Sequence, residues 1–410
     1  MRTVVIVSEA ADAKGGASIA ALRSALVLAK YGVDVRVFAA TGPFNPPEIP
    51  PSNLTCKTLE DGLDLIKSGG LKRMTQSLWN GTAASQFGDF ISDLEPQHTV
   101  VHIHSFSVNL TGSVVREAVK RGFPVVYTAH DYSIACPYSG FYNYNTGAPC
   151  GKKALSTGCA TTLCTESKSI PGKTWHLAKG SCQKSIGVTP NGFAHAIFLS
   201  DFSRRILQPY LPEGTKTSLV PNALSLPKEG PRKLKQNAPF LFAGRLTKEK
   251  GADLLAEAAK AMNCEVWIVG SGPEEAPLQA QNPRLKMLGW KSGPEVRELM
   301  RQSRALVFPS RWYEGQPLAV QEAQSLGLPV ISSDVCAASE TIRHGIDGLL
   351  FRSGDAEHLR KQMTLLLDDE INESIGQAAY DHFWADPPTA EKHLRLSLEV
   401  YEEVLESLRR

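Results

Sequence analysis

The chain of 410 residues has no apolar run approaching the roughly 18 consecutive residues that cross a bilayer. Its start, Met1-Arg2-Thr3-Val4-Val5-Ile6-Val7-Ser8, reads as a core strand and lacks the apolar stretch and cleavage site of a leader. Charge of either sign is not in excess: 44 basic and 42 acidic residues leave +2. That balance offers no electrostatic footprint for nucleic acid. No Gly-x-Gly-x-x-Gly follows the first strand, which argues against a nicotinamide-linked oxidoreductase. No Asp-x-Asp pair is present to hold a catalytic cation, and no internal repeat or low-complexity tract is visible. The expectation is a cytoplasmic protein, with any membrane contact peripheral at the inner face.

What is present is enough apolar material, 42% of residues, for two substantial cores in a chain too long for one ordinary domain. Apolar runs alternate with helical segments, the pattern of parallel sheets in α/β layers. The first half offers strands at Val4–Ser8, Asp34–Ala39, Val100–His104, Val125–Ala129 and Ala196–Leu199, with a helix over 17–31. The second half restarts at Pro239–Ala243 and continues through Glu265–Gly270, Leu285–Leu288, Ala305–Pro309 and Val330–Ser333. The expected division is therefore 1–215, 216–388 and a terminal helix over 389–410, with Leu394, Leu398, Tyr401, Leu405 and Leu408 on one face. An irregular insertion at about 133–185 interrupts the first unit.

Chemistry concentrates at a few turns. Glu314-Gly315-Gln316-Pro317-Leu318 leads into a helix that carries Glu322, eight residues after Glu314. Pro317 suits a first helical position, where a missing N–H costs nothing. Two acceptors with free backbone N–H groups between them can hold two hydroxyls and a phosphate of one ligand. Gly244-Arg245-Leu246-Thr247-Lys248-Glu249-Lys250-Gly251 follows the first strand of the second unit. That places Arg245 and Lys250 at the ligand-binding end of a sheet, where a fork of donors and a compact charge suit a diphosphate. Gly15 and Gly16 open the first helix and let backbone N–H groups approach a ligand. His130 ends a strand, and His102 and His104 lie two apart on one strand face.

In this order and spacing the second half resembles family 4 of the retaining glycosyltransferases. The carriers are the Glu-x7-Glu pair, Gly-Arg-x4-Lys-Gly, Gly270-Ser271-Gly272-Pro273, Leu288-Gly289-Trp290, Phe308-Pro309-Ser310 and Gly345-Ile346-Asp347-Gly348. The first half agrees more loosely, through Thr128-Ala129-His130-Asp131. The resemblance implies a GT-B fold: two Rossmann-like domains facing a cleft, with the terminal helix crossing back to the first. It implies a nucleotide-diphosphate sugar as donor and a glycan, lipid-linked or small-molecule acceptor, with no cofactor for the chemistry. Arg245 and Lys250 would bind the diphosphate, Glu314 the sugar and Glu322 the ribose. The loop at Leu288 would meet the base, and the backbone at Gln316, Pro317 and Leu318 the phosphate or sugar. Gly15 and Gly16 would face the donor phosphates. His130 would hydrogen-bond the sugar near the reacting carbon, and His104 would face the acceptor. Two departures, Gln316 and the stretch Val335-Cys336-Ala337-Ala338-Ser339-Glu340, leave the sugar open. A phosphorylase or hydrolase, and a nucleotide-sugar-binding protein without turnover, are the competing readings.

Four of the eight cysteines, Cys136, Cys150, Cys159 and Cys164, fall within 29 residues of the insertion. A long loop in a compact domain needs a staple or a function. Structural zinc, a disulfide and free thiols all fit the spacing, with zinc favoured in a reducing compartment.

Overall fold

The computed structural model describes residues 1–12, 15–60 and 70–409, with side chains of 70–73 excluded. Ala13 and Lys14, in the expected glycine loop, lie outside the described residues.

The first sheet contains β1 (Thr3–Asp12), β2 (Asp34–Asn45), β3 (Leu54–Thr58), β4 (Thr99–Ile103) and β5 (Val125–Ala129). A small hairpin, β6 (Tyr142–Asn143) and β7 (Ala148–Pro149), belongs to the insertion. The first sheet is completed by β8 (His195–Phe198) and β9 (Lys216–Leu219). Its order is β3-β2-β1-β4-β5-β8-β9, with every pair parallel. Because β9 pairs with β8, the first sheet runs past the division expected at 215/216.

The second sheet is built from β10 (Phe240–Ala243), β11 (Val266–Val269), β12 (Lys286–Gly289), β13 (Ala305–Phe308), β14 (Val330–Ser333) and β15 (Leu349–Phe351). Its order is β12-β11-β10-β13-β14-β15, again all parallel. In both sheets the chain reverses direction of growth beside the first strand. Such a switch point opens a crevice at the carboxyl ends of the strands, where ligands of open α/β sheets bind. In the second domain the crevice lies between the loops after β10 and β13, which carry Arg245 and Glu314.

Each sheet is buried on both faces, so its strands read as near-continuous apolar runs. One face of the first sheet packs on the helices Gly81–Phe90 and Gly112–Lys120, burying Phe87, Ile91, Val114 and Val115. The other face is covered by the helix Gly16–Lys30 and by the last helix, Ala390–Ser407. The last helix buries Leu394, Val400, Tyr401, Val404 and Leu405. Leu408, expected on that stripe, caps the helix end and is 45% exposed. The Tyr401 hydroxyl lies 2.6 Å from His102 Nδ1, and the His393 ring bridges the Pro221 carbonyl and Ser24 Oγ. The terminal helix is thus hydrogen-bonded into the first domain as well as packed on it. Among the described residues no helix is long and apolar enough to cross a membrane.

The Tyr401–His102 bond gives a stability test. Tyr401→Phe leaves a buried imidazole nitrogen without its partner, a loss of about 1–3 kcal/mol. Urea unfolding of the full chain should show it, and an unchanged midpoint would mean that packing alone holds the helix.

Candidate active site

The second-domain half of the site is made by two turns that touch. Gly251, after the 3-10 turn Lys248–Lys250, has φ +71, and a Cβ there would lie 2.1 Å from the Pro309 carbonyl oxygen. Only glycine allows the Arg245–Lys250 loop to close onto the end of β13. Gly270 meets the same constraint after β11: its φ is +136, and a Cβ would lie 1.8 Å from the Gly244 carbonyl oxygen.

This closeness joins Lys250 to Glu314. The ammonium donates to Glu314 Oε1 at 2.5 Å, with both side chains about 15% exposed (16% and 14%). Trp312 Nε1 and Ser310 Oγ donate to the same oxygen at 2.7 and 3.0 Å. Burial works to raise the Glu314 carboxyl, but Lys250, Trp312 and Ser310 outweigh it and hold the group below its ordinary range. Arg245 is exposed at a cavity of ≈ 290 Å³ lined also by Ser271, Trp290, Lys291 and Ala319. Glu322 stands half-buried in the helix Leu318–Ser325. Burial raises its carboxyl, against the pull of Arg23 from the first domain and Arg297.

Several expectations are refined here. The helix begins at Leu318, and Pro317 is its N-cap. The Gln316 side chain is taken up within the protein: it accepts from the Asn222 N–H at 2.8 Å and donates to Gln321 at 2.8 Å. Leu288 is partly buried against the apolar layer of the second sheet. Trp290 of the same loop, 73% exposed, adds a ring at the cavity. Glu340 reaches the first domain, where it accepts from the Phe202 N–H at 2.8 Å and from Arg205 at 2.6 Å.

The first-domain half centres on His130, at the end of β5. Its Nε2 lies 2.9 Å from His104 Nδ1, with the rings stacked at 5.1 Å. Burial, reinforced by His393, pushes His130 down to about 4, so it is neutral near pH 7. His104 is 3% exposed, which corrects its reading as an acceptor-facing group: it backs His130 from inside the sheet. The alternation of a strand put His102 and His104 on one face but could not say that the face is the packed one. Gly15 (φ +98) and Gly16 sit exposed at the start of the first helix.

Three charged residues have no role in the sequence reading, where Asp131 appears only as the end of Thr128-Ala129-His130-Asp131. Glu9 at the end of β1 accepts from the N–H groups of Val108 and Asn109, both at 2.8 Å. Asp131 accepts from the Ser133 N–H at 2.8 Å. Burial lowers Lys179, with Glu9 and Asp131 opposing. Only tertiary contact relates these three, which lie far apart in the chain.

The zinc expectation is not supported. All four insertion cysteines are free and line one small cavity. Among the described residues, however, no group of three or more side chains converges as metal ligands. The Lys173 ammonium instead lies 3.2 Å from Cys164 Sγ and 3.7 Å from Cys159 Sγ. Two of the four thiols thus have an ammonium as their neighbour.

The two halves face each other closely. A Cβ on Gly315 would be 3.9 Å from the carbonyl oxygens of Ala129 and His130. Sucrose-phosphate synthase from Thermosynechococcus elongatus superposes with TM-score 0.73 at 17% identity, over 99% of this chain and 100% of that one. Anabaena HepE in complex with UDP and glucose gives 0.67 at 13% identity, over 98% and 100%. The chain has the GT-B fold. Residues 228–382 match the family model of glycosyl transferases group 1. UDP-Gal:alpha-D-GlcNAc-diphosphoundecaprenol alpha-1,3-galactosyltransferase from Escherichia coli is 30% identical over 182 residues, 38% of this chain and 46% of its own length. Amylovoran biosynthesis glycosyltransferase AmsK from Erwinia amylovora is 32% identical over 155 residues, 34% of this chain and 38% of its own length. The chain thus spans less than half of the length of these two relatives.

The Lys250–Glu314 pair has a measurable pH signature. A carboxyl held below its ordinary 4.5 stabilises the fold above that pH, and the contribution is lost as pH falls through the folded-state value. Lys250→Met strands the buried carboxylate, at a cost of about 3 kcal/mol at pH 7. The gap between variant and wild type should shrink in urea unfolding below pH 4.5. A gap independent of pH would mean that the loss is one of packing.

Proposed function

We propose that the chain is a retaining glycosyltransferase that moves a sugar from a nucleotide-diphosphate donor to a glycan or lipid-linked acceptor in polysaccharide assembly. The observation that carries this reading is the Lys250–Glu314 pair at the switch point of the second sheet, with neutral His130 at the end of β5 in the other domain. The Escherichia coli relative, named for a UDP-galactose donor and a diphosphoundecaprenol-linked acceptor, supports both substrate classes. We place the work in the cytoplasm, with contact to a membrane surface through a lipid-linked acceptor.

In this reading the donor lies on residues 220–388. Its base enters the Arg245–Trp290 cavity, and its ribose reaches Glu322. Arg245 and Lys250 neutralise the charge that grows on the departing diphosphate, the largest electrostatic demand of the step. To do so Lys250 exchanges Glu314 for phosphate, and Glu314, still held by Trp312 and Ser310, is left to accept from the sugar hydroxyls. His130, uncharged, hydrogen-bonds the sugar without repelling an oxocarbenium-like centre. The acceptor approaches from the first domain, past Gly15 and Gly16, and departure and attack share one face of the sugar.

A panel of UDP-, GDP- and ADP-sugars tests the reading: slow nucleotide release should accelerate with an acceptor. Arg245→Ala and Lys250→Ala should each lower turnover by about thirty- to a thousandfold, the equivalent of ~2–4 kcal/mol per donor. Tight donor binding without release would identify a binding protein. The product should keep the donor's anomeric configuration in proton NMR of the fresh reaction, and inversion would refute retention.

A further inference from the structure

Trp312 stands two residues before Glu314 and serves it directly. Its Nε1–H donates to Glu314 Oε1 at 2.7 Å, and the Lys250 ammonium lies 5.1 Å from its ring centroid. The hydrogen bonds from Lys250, Ser310 and Trp312 all end on Oε1. If Lys250 leaves Glu314 for the donor diphosphate, as in the reading above on which this inference rests, the carboxylate loses its counter-charge. That happens in the very step in which it must hold a sugar hydroxyl. Two neutral donors then remain on Oε1, and the indole is the shorter of them.

We propose that Trp312 is a positioning residue that keeps Glu314 Oε1 fixed through this exchange, and that the Gly140 turn of the cysteine-bearing insertion sets the place of the indole. A Cβ on Gly140 would lie 2.9 Å from Trp312 Cε3 and 3.0 Å from Cζ3. The first-domain backbone therefore lies against the ring with no room for a methyl. The insertion is held there by a second contact, from the Tyr144 hydroxyl to Glu249 Oε2 at 3.3 Å, one residue before Lys250. Phe141 adds a third, packing with Tyr132 and with Tyr313, the residue between Trp312 and Glu314. The insertion thus acts as a wall of the donor-sugar site supplied by the opposite domain, and Trp312 is the point where its position reaches the chemistry.

Trp312→Phe keeps the ring and removes the N–H. With whichever donor supports wild-type turnover, kcat should fall about ten- to a hundredfold, the weight of a hydrogen bond to a charged group. Affinity for the nucleoside diphosphate should stay unchanged, because Arg245 and Lys250 are intact. The acid limb of the kcat profile should move to higher pH, since one of the groups holding Glu314 down is gone. The charged and titratable groups facing Glu314 are Lys250, the Tyr132 phenol and the Cys336 thiol, and all three remain. Gly140→Ala should move the same limb by less, and the double variant should be no worse than Trp312→Phe alone. Full kcat in Trp312→Phe, or equal losses in kcat and nucleotide affinity, overturns the proposal. Additive effects in the double variant overturn the role assigned to Gly140. If wild type turns over no donor, the activity reading fails by itself. Carbon NMR of the Glu314 carboxyl then decides this inference, which falls if neither substitution moves the titration.

Discussion

A carboxylate taken out of water must be given a counter-charge, and the second domain is arranged around that requirement. Glu314 is drawn inside by the turn after β13, and Lys250 reaches it only because Gly251 lets two loops approach within backbone contact. The pair is strong enough to hold Glu314 ionised despite burial. In the proposed reaction it would be exchanged, because a diphosphate offers Lys250 more negative charge than one carboxylate does. Electrostatics of the resting site and of the proposed reaction are therefore the same few contacts, used in two arrangements.

The first domain solves the opposite problem. His102, His104, His130 and His393 form a buried set in which each ring nitrogen with a partner finds a neutral one: Tyr401, Thr128, a neighbouring histidine, Ser24 or the Pro221 carbonyl. Burial keeps all four uncharged. In the proposed reaction, a positive charge on His130 would repel the cationic character that develops at the sugar carbon as the diphosphate leaves. The labour would then be divided, with hydrogen bonding from the first domain and charge from the second.

The domains meet through specific contacts as well as shape. Glu340 caps the helix Asp201–Leu207 of the first domain, Gln316 binds the Asn222 N–H at the crossover, and Tyr313 packs among Tyr132, Phe141 and Phe202. Two of these residues stand where the sequence departs from the resembled family. Glu340 ties the second domain to the first and Gln316 fixes the connecting segment at Asn222, so both departures serve the joint between the domains.

The central strands, the glycine turns and the order of Arg245, Lys250, Glu314 and Glu322 were all legible in the sequence, because apolar runs and glycine-bounded turns are local signals. The strands it did not show, β3, β9 and β15, lie at or next to sheet edges, where short mixed segments lose the apolar signature, and β6 and β7 form a two-residue hairpin. The cysteine spacing invited a metal, but the position of Lys173 between two thiols depends on a helix packing back over the loop. The same holds for Glu9 and Lys179, whose partners come from other elements, and for the ring of Trp312, which meets Lys250 and Gly140 although its N–H serves Glu314 two residues on. Sequence by itself determined which side chains arrive at the carboxyl ends of the strands, since periodicity and turn chemistry act within a few residues. Only the tertiary structure decided which of them are buried, which are charged and which touch. Those properties follow from desolvation and from contacts made across the whole chain.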